Sequence, residues 1–301
     1  MKRRRVSQLA PLVVEGALQA EHAVTTVTAE QAAFGQTTAG SRTEATVWAE
    51  NLSEMEHSII DEQTFSELTR VRAYMIEKNP NPQGVGIAAP FVPWIGADIY
   101  KGTQGIYFIG IATRGPTTEP VGLGKCRAWS EETTKSPPGT PFWRYIRETT
   151  EAVYMRPYSQ CISKIAWSNQ FKIGIYNLVG PESLNPSGFY AESQEKISLS
   201  ILQQEIRLAN TSAVIFLGDG PLIYPAVGEG DWDKESYRDL GIWMKHGQNG
   251  TLFLYQYHPK PLLMKGSDHF SRHVQTVAST VRNFFKRESP LTYAATARRA
   301  E

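Results

Sequence analysis

After residue 100 the apolar positions gather into four short runs, at residues 105–112, 161–167, 212–217 and 251–257. Each run is rich in Ile, Val, Phe or Tyr and too short for a buried helix. Each is therefore expected to be a strand covered on both faces in a parallel sheet. Helical spacing falls between and after them. Residues 197–209 precede the third run, and residues 270–287 follow the fourth with Val274, Val277, Val281 and Phe284 on one stripe. Strands alternating with helices predict an α/β fold, a three-layer αβα arrangement around a central four-stranded, mainly parallel sheet.

The N-terminal part reads differently. Residues 46–78 carry helical spacing, with Phe65, Leu68, Val71 and Met75 able to share a face, and Asn79-Pro80-Asn81-Pro82-Gln83-Gly84 breaks it. The expected organisation is a weakly ordered segment over 1–43, a helical extension over 44–84, a main domain over 85–288 and a basic C-terminal tail over 289–301.

Composition excludes several classes. The 301 residues, 41% of them hydrophobic, suffice for one sizeable core or one core plus an appendage. Two cysteines, Cys126 and Cys161, are too few for a disulfide framework, a zinc ribbon or an iron–sulfur cluster, and fit a reduced, cytoplasmic protein. No run of 18 apolar residues is present, so no membrane helix is expected. The basic start Met1-Lys2-Arg3-Arg4-Arg5 lacks the apolar core of a signal peptide and reads first as a solvated terminus, second as a nucleic-acid contact. The 31 Lys and Arg nearly balance 30 Asp and Glu, but not locally: residues 258–287 hold six Lys or Arg and one acid, Asp268. That excess suits a phosphate backbone as well as a solvated helix face.

In a parallel sheet, ligands bind beyond the carboxyl ends of the strands, so the residues after each run carry the candidate chemistry. The first run leads into Gly110-Ile111-Ala112-Thr113-Arg114-Gly115, where glycines let a backbone approach a phosphate or base, or simply make a turn. Farther on, Trp129 is either a stacking platform for a base on a loop above the sheet or a cover for the core. Asn169 follows the second run; its amide can pair with a pyrimidine edge or cap a turn. The third run ends in Leu217-Gly218-Asp219-Gly220, for which no chemistry is assigned. The fourth leads into His258-Pro259-Lys260-Pro261-Leu262-Leu263, a proline-stiffened loop with a candidate hydrogen-bonding His and an apolar tip able to wedge between bases.

The order of these features resembles the uracil-DNA glycosylase superfamily over about residues 94–287. His258-Pro259-Lys260-Pro261-Leu262 is similar to that family's His-Pro-Ser-Pro-Leu loop, His269-Phe270-Ser271-Arg272 to its His-Phe-Ser-Lys helix start, and Ala128-Trp129-Ser130 to its Ala-Phe-Ser. The resemblance implies a monofunctional DNA glycosylase without metal or cofactor, monomeric, with DNA as its partner. It would flip a pyrimidine-type base and hydrolyse its N-glycosidic bond. Trp129 would stack on the base, Asn169 would read its edge, and His258 would stabilise the departing anion. Gly110, Ile111 and Ala112 would line the substrate site, with Arg114 holding phosphate. Lys260, Leu262, Leu263, Ser271 and Arg272 would contact DNA, Leu262 filling the gap in the stack. Ala112 stands where many members carry Asp or Asn, so Glu132, or Glu131, is the expected water-orienting base. Trp129 for Phe, Lys260 for Ser and Thr113 for Pro leave the target open among uracil, a damaged base and a bulky modified phage cytosine. The last would imply a role in phage defence. A catalytically silent DNA-binding module of the same fold is the competing expectation.

Overall fold

The computed structural model describes residues 59–100, 104–112, 122–180, 183–209, 212–228, 231–247 and 250–297. The expected segment over 1–43, the first part of the extension (44–58) and Arg114 lie outside these residues. The strands, in chain order, are β1 (Val85–Pro90), β2 (Trp94–Ile95), β3 (Ile106–Gly110), β4 (Ile165–Asn169), β5 (Ile173–Asn177), β6 (Ser183–Leu184), β7 (Ala213–Leu217), β8 (Asp233–Tyr237), β9 (Ile242–His246) and β10 (Leu252–Gln256). The helices are α1 (Glu62–Glu77), α2 (Ala97–Tyr100), α3 (Leu123–Lys135), α4 (Pro141–Tyr154), α5 (Phe189–Glu192), α6 (Glu195–Leu208), α7 (Ile223–Val227), α8 (Pro259–Met264) and α9 (Ser267–Ala297).

The fold is mixed α/β with a mostly parallel central sheet. The four apolar runs become β4, β3, β7 and β10, adjacent in that order and parallel. The sheet has seven strands rather than four, in the order β2-β4-β3-β7-β10-β9-β8. The added strands all pair antiparallel, β2 on β4 at one edge and β9 with β8 beside β10 at the other. Edge strands bury less, so β8 (DKESY) needs no apolar run and shows none. A second sheet, β1-β5-β6, is wholly antiparallel.

Alternation along the parallel strands sends successive side chains to opposite layers. Ile106 and Phe108 join Trp143, Ile146, Val274, Val277 and Val281 of α4 and α9 in one core. Tyr107 and Ile109 join Leu202 of α6 and Ile223 of α7 in the other. Each fully buried side chain of this size contributes roughly 1.5–3 kcal/mol relative to exposure. Helix α9 extends past residue 287 to Ala297, so much of the expected tail is helical backbone.

Helix α1 begins where Asp61 caps it, its carboxylate accepting from the Thr64 N–H at 2.7 Å. Its Phe65, Leu68 and Met75 share a third core with Ile87 of β1 and Ile173 of β5. Buried Arg72 donates to the Ala88 and Ile87 carbonyls at 2.9 and 3.3 Å. The break over 79–84 is therefore a turn inside one compact unit, Ala49–Glu301, not a boundary.

Candidate functional site

The carboxyl ends of β3 and β4 lie in register, Gly110 beside Asn169. A cavity of about 350 Å³ opens above them. Gly110, Ile111 and Ala112 form one wall; Trp129 and Thr133 of α3, then Pro138, Thr140 and Phe142, form another. Trp143 and Trp167 lie deeper, and Asn169, Asn185 and His258 supply polar atoms at the sides. Six residues expected at the substrate site therefore converge: Gly110, Ile111, Ala112, Trp129, Asn169 and His258.

Local sequence explains the placement. Thr140 caps α4 and Pro141 occupies its first turn, which fixes where Phe142 and Trp143 leave the chain. Trp129 lies on helix α3, not on a loop as expected, and Thr133 one turn later shares its face. Beneath them Trp167 is buried, its indole N–H donating to Thr134 Oγ1 at 2.6 Å and its ring 4.7 Å from those of Phe91 and Trp143. The floor is thus aromatic and internally satisfied.

The Asn169 side chain is buried, and its amide nitrogen Nδ2 has no hydrogen-bond partner within the protein. Leaving such a donor unsatisfied costs roughly 1–3 kcal/mol, which a ligand acceptor would recover. Gly110 makes room for this amide: a Cβ there would lie 2.7 Å from Asn169 Oδ1 and 3.1 Å from the Phe142 ring. An alanine would push the amide out of place.

His258 ends the two-residue connection from β10, and the residues after it form a helix rather than a stiff loop. His258 caps α8, its Nδ1 accepting from the Lys260 backbone N–H at 3.2 Å. Burial, helped by the Lys260 charge, lowers its pKa from the usual histidine value. The ring is therefore neutral at pH 7 and, with Nδ1 occupied as an acceptor, carries its proton on Nε2. It stacks on Phe142 at 22°, with centroids 6.4 Å apart. A neutral imidazole offering one N–H suits an oxygen on which negative charge develops.

Other expected residues fall elsewhere. Glu132 is exposed on α3 and is not among the cavity-lining residues; Glu131 pairs with Lys135. No Asp or Glu is among the described lining residues, so the expected carboxylate base is not met there. Leu262 is fully buried in the first core and Leu263 is half-buried against it, so Leu262 cannot be a wedge. Formation of α8 is the reason: its phase turns Leu262 inward and leaves Met264 81% exposed. Lys260, Ser271 and Arg272 are exposed, with Ser271 lining a separate groove between α4 and α9. Phe142, Thr133, Thr140 and Asn185 were not anticipated; only the Thr-Pro helix start before Phe142 gave a sequence signal.

Among the described residues no group of three or more His, Cys, Asp or Glu is placed to hold a metal ion. Among them, too, no helix is long and apolar enough to cross a membrane. No protein-family model and no curated protein matches the chain. Among solved structures it is similar to wild-type SMUG2 from Pedobacter heparinus, at 15% identity and a TM-score of 0.38, over 70% of this chain and 96% of that one. A likeness of that size carries no chemistry, and the site's own geometry has to do so.

Proposed function

We propose that the protein is a DNA glycosylase that draws a pyrimidine-type base into the aromatic cavity and hydrolyses its N-glycosidic bond. One observation carries the reading: a buried, partnerless amide donor on Asn169 and a neutral, Nε2-protonated His258 line the same aromatic cavity. A pyrimidine offers two exocyclic oxygens, or one beside an amine, on a flat apolar ring. The Asn169 amide would take one edge and His258 the oxygen that gains charge, while Trp129 or Phe142 stacks on the ring. A base inside a duplex cannot reach such a cavity without being flipped out.

In the reaction the C1′–N bond breaks heterolytically, and both electrons leave on the base. The His258 Nε2–H stabilises that anion without giving up its proton. The sugar becomes an oxocarbenium ion; water adds at C1′ and loses a proton to solvent, leaving an abasic site. An ion so electrophilic does not require a carboxylate base, which fits a wall holding Ala112 and hydroxyls rather than an acid. DNA would lie across α8, with Lys260 and Arg272 near phosphates and Met264, not Leu262, as the apolar tip. The cavity volume leaves room for a substituted ring, so bulky modified cytosines of phage DNA, and with them a defensive role, belong among the candidate substrates.

The test is to incubate the protein with duplexes bearing uracil or oxidised pyrimidines and with modified phage DNA, then identify freed bases by mass spectrometry. One released pyrimidine with a matching abasic site is expected. DNA binding without any released base from the whole panel would instead favour a catalytically silent module, the reading that the missing carboxylate supports.

A further inference from the structure

Beneath Asn169 lies a buried ion pair. Lys172 and Glu205 are both fully inaccessible, and the ammonium Nζ sits 2.8 and 3.0 Å from the two carboxylate oxygens. The same ammonium donates to the Ser168 hydroxyl at 2.7 Å and to the Asn169 backbone carbonyl. Ser168 in turn donates to Glu205 at 2.9 Å. All three ammonium hydrogens thus have acceptors. Glu205 comes from α6, 33 residues away in sequence, so the cluster joins a helix to the end of β4.

Such a pair is not explained by stability. Two buried charges lose their hydration, and apolar residues of similar volume often serve a core as well or better. What apolar residues cannot do is donate to the carbonyl of the last residue of β4. The two residues that follow it are tied to the neighbouring strand end: the Gln170 and Phe171 N–H groups donate to the Gly110 and Ile111 carbonyls at 2.8 and 2.9 Å. The Gly110 Cα beside Asn169 leaves room for the amide and for little else.

We infer that Lys172 and Glu205 are positioning residues, which fix the Asn169 backbone so that its amide is presented to the flipped base in one orientation. This rests on the glycosylase reading for what Asn169 contacts, but not for the immobilisation itself. Neither residue touches the substrate. Burial opposes ionisation of both, raising the glutamate pKa and lowering the lysine pKa, while each charge favours the other. The pair therefore works as a unit, and both members must be replaced together to remove it cleanly.

The experiment uses Lys172→Met/Glu205→Met/Ser168→Ala in the full chain, which removes both charges and leaves no side-chain group of the cluster unpaired. Two measurements are made. The Asn169 side-chain amide is followed by nitrogen-15 NMR, its signals assigned by their loss in Asn169→Asp. Base release is followed on the preferred substrate of the wild type. The folded triple variant should show a broadened or shifted Asn169 amide, a fall in kcat of about 30-fold or more, and a raised KM, since the same amide also meets the ground-state base. A merely structural pair would leave the amide signals and kcat unchanged in a folded variant, and that result overturns the inference. If wild type releases no base but the amide is still mobilised, the immobilisation stands and the glycosylase reading fails. If the triple variant does not fold, Lys172→Met/Glu205→Gln, which removes both charges and keeps an acceptor for the Ser168 hydroxyl, should show the same changes to a smaller degree. Unchanged amide signals there count equally against the inference.

Discussion

The two strand ends that supply Asn169 and His258 are held in contrasting ways. His258 is held locally: it caps the helix that follows it, and its Nδ1 bond goes to a residue two positions on. Asn169 is held at long range by a charged cluster whose members all find partners. The core behind the end of β10 also holds a polar cluster, but a neutral one. Tyr145 donates to Gln256 Oε1 at 2.7 Å and lies 3.2 Å from His273 Nδ1, and the far nitrogens of Gln256 and His273 have no partner. A charged cluster cannot tolerate gaps, because an uncompensated buried charge is far more costly than a missing hydrogen bond. A neutral cluster can. The two ends should therefore fail differently when damaged.

The largest effect is expected at the charged end. Lys172→Met alone leaves the Glu205 carboxylate buried without its counter-ion, which should cost about 3–5 kcal/mol. Urea denaturation would read this as a large fall in midpoint. A loss below about 1 kcal/mol would mean that the carboxylate is protonated or hydrated, and the contrast between the two clusters would collapse.

Next come the two groups in the cavity. Asn169→Ala and His258→Ala should each lower base release about 100-fold, equivalent to roughly 2.7 kcal/mol of transition-state stabilisation. The split should differ. His258 meets charge that exists only in the transition state, so kcat should fall with KM little changed. Asn169 also meets the ground-state base, so its loss should raise KM as well. Equal profiles would remove the separate roles.

How much of this was readable in advance follows the same local and long-range divide. β3, β4, β7 and β10 were legible because strands buried on both faces leave continuous apolar runs. β8 was not, because an antiparallel edge strand carries polar residues; β9, between β10 and β8, was not, because its apolar part is only Ile242-Trp243-Met244; and β1 hides behind its Gly86 and Pro90. Gly110, Asn169 and His258 stand out in the sequence because strand ends in a parallel sheet mark ligand sites, and all three line one cavity. Leu262 was misassigned because a proline pair was read as a stiff loop, although Pro259 at the first helical position favours a helix start. Glu132 falls outside the cavity lining through the phase of α3, on which Trp129 and Thr133, four apart, face the cavity. The Lys172–Glu205 pair had no local signal, since its partners are 33 residues apart.

Acid separates the clusters further. Burial, with smaller effects from the His269 and Lys265 charges, lowers the His273 pKa to about 4. The unfolded chain, with an ordinary histidine pKa of about 6.5, binds the proton more readily there, so stability rises with pH across that window. It should be fully present above about pH 6.5 and fall as pH drops toward 4, by on the order of 2–3 kcal/mol. Measured by thermal melts, His273→Phe should flatten this slope. An unchanged slope would locate the acid sensitivity elsewhere.

The smallest effect tests the surface rather than the strand ends. Helix α8 inherits its position from the His258 cap, and its phase leaves Met264 81% exposed beside exposed Lys265. An exposed apolar side chain beside basic residues is poorly explained by packing, since truncating it removes almost no buried area. Met264→Ala should therefore leave the melting temperature unchanged. If the side chain fills the space vacated by a flipped base, the variant should lose about three- to tenfold in activity on duplex DNA. It should lose nothing on single strands, where no stack needs to be held open. Equal losses on both would make Met264 a general contact. No loss on either would leave the long-range end of β4 and the local cap of α8 as the whole of the machinery.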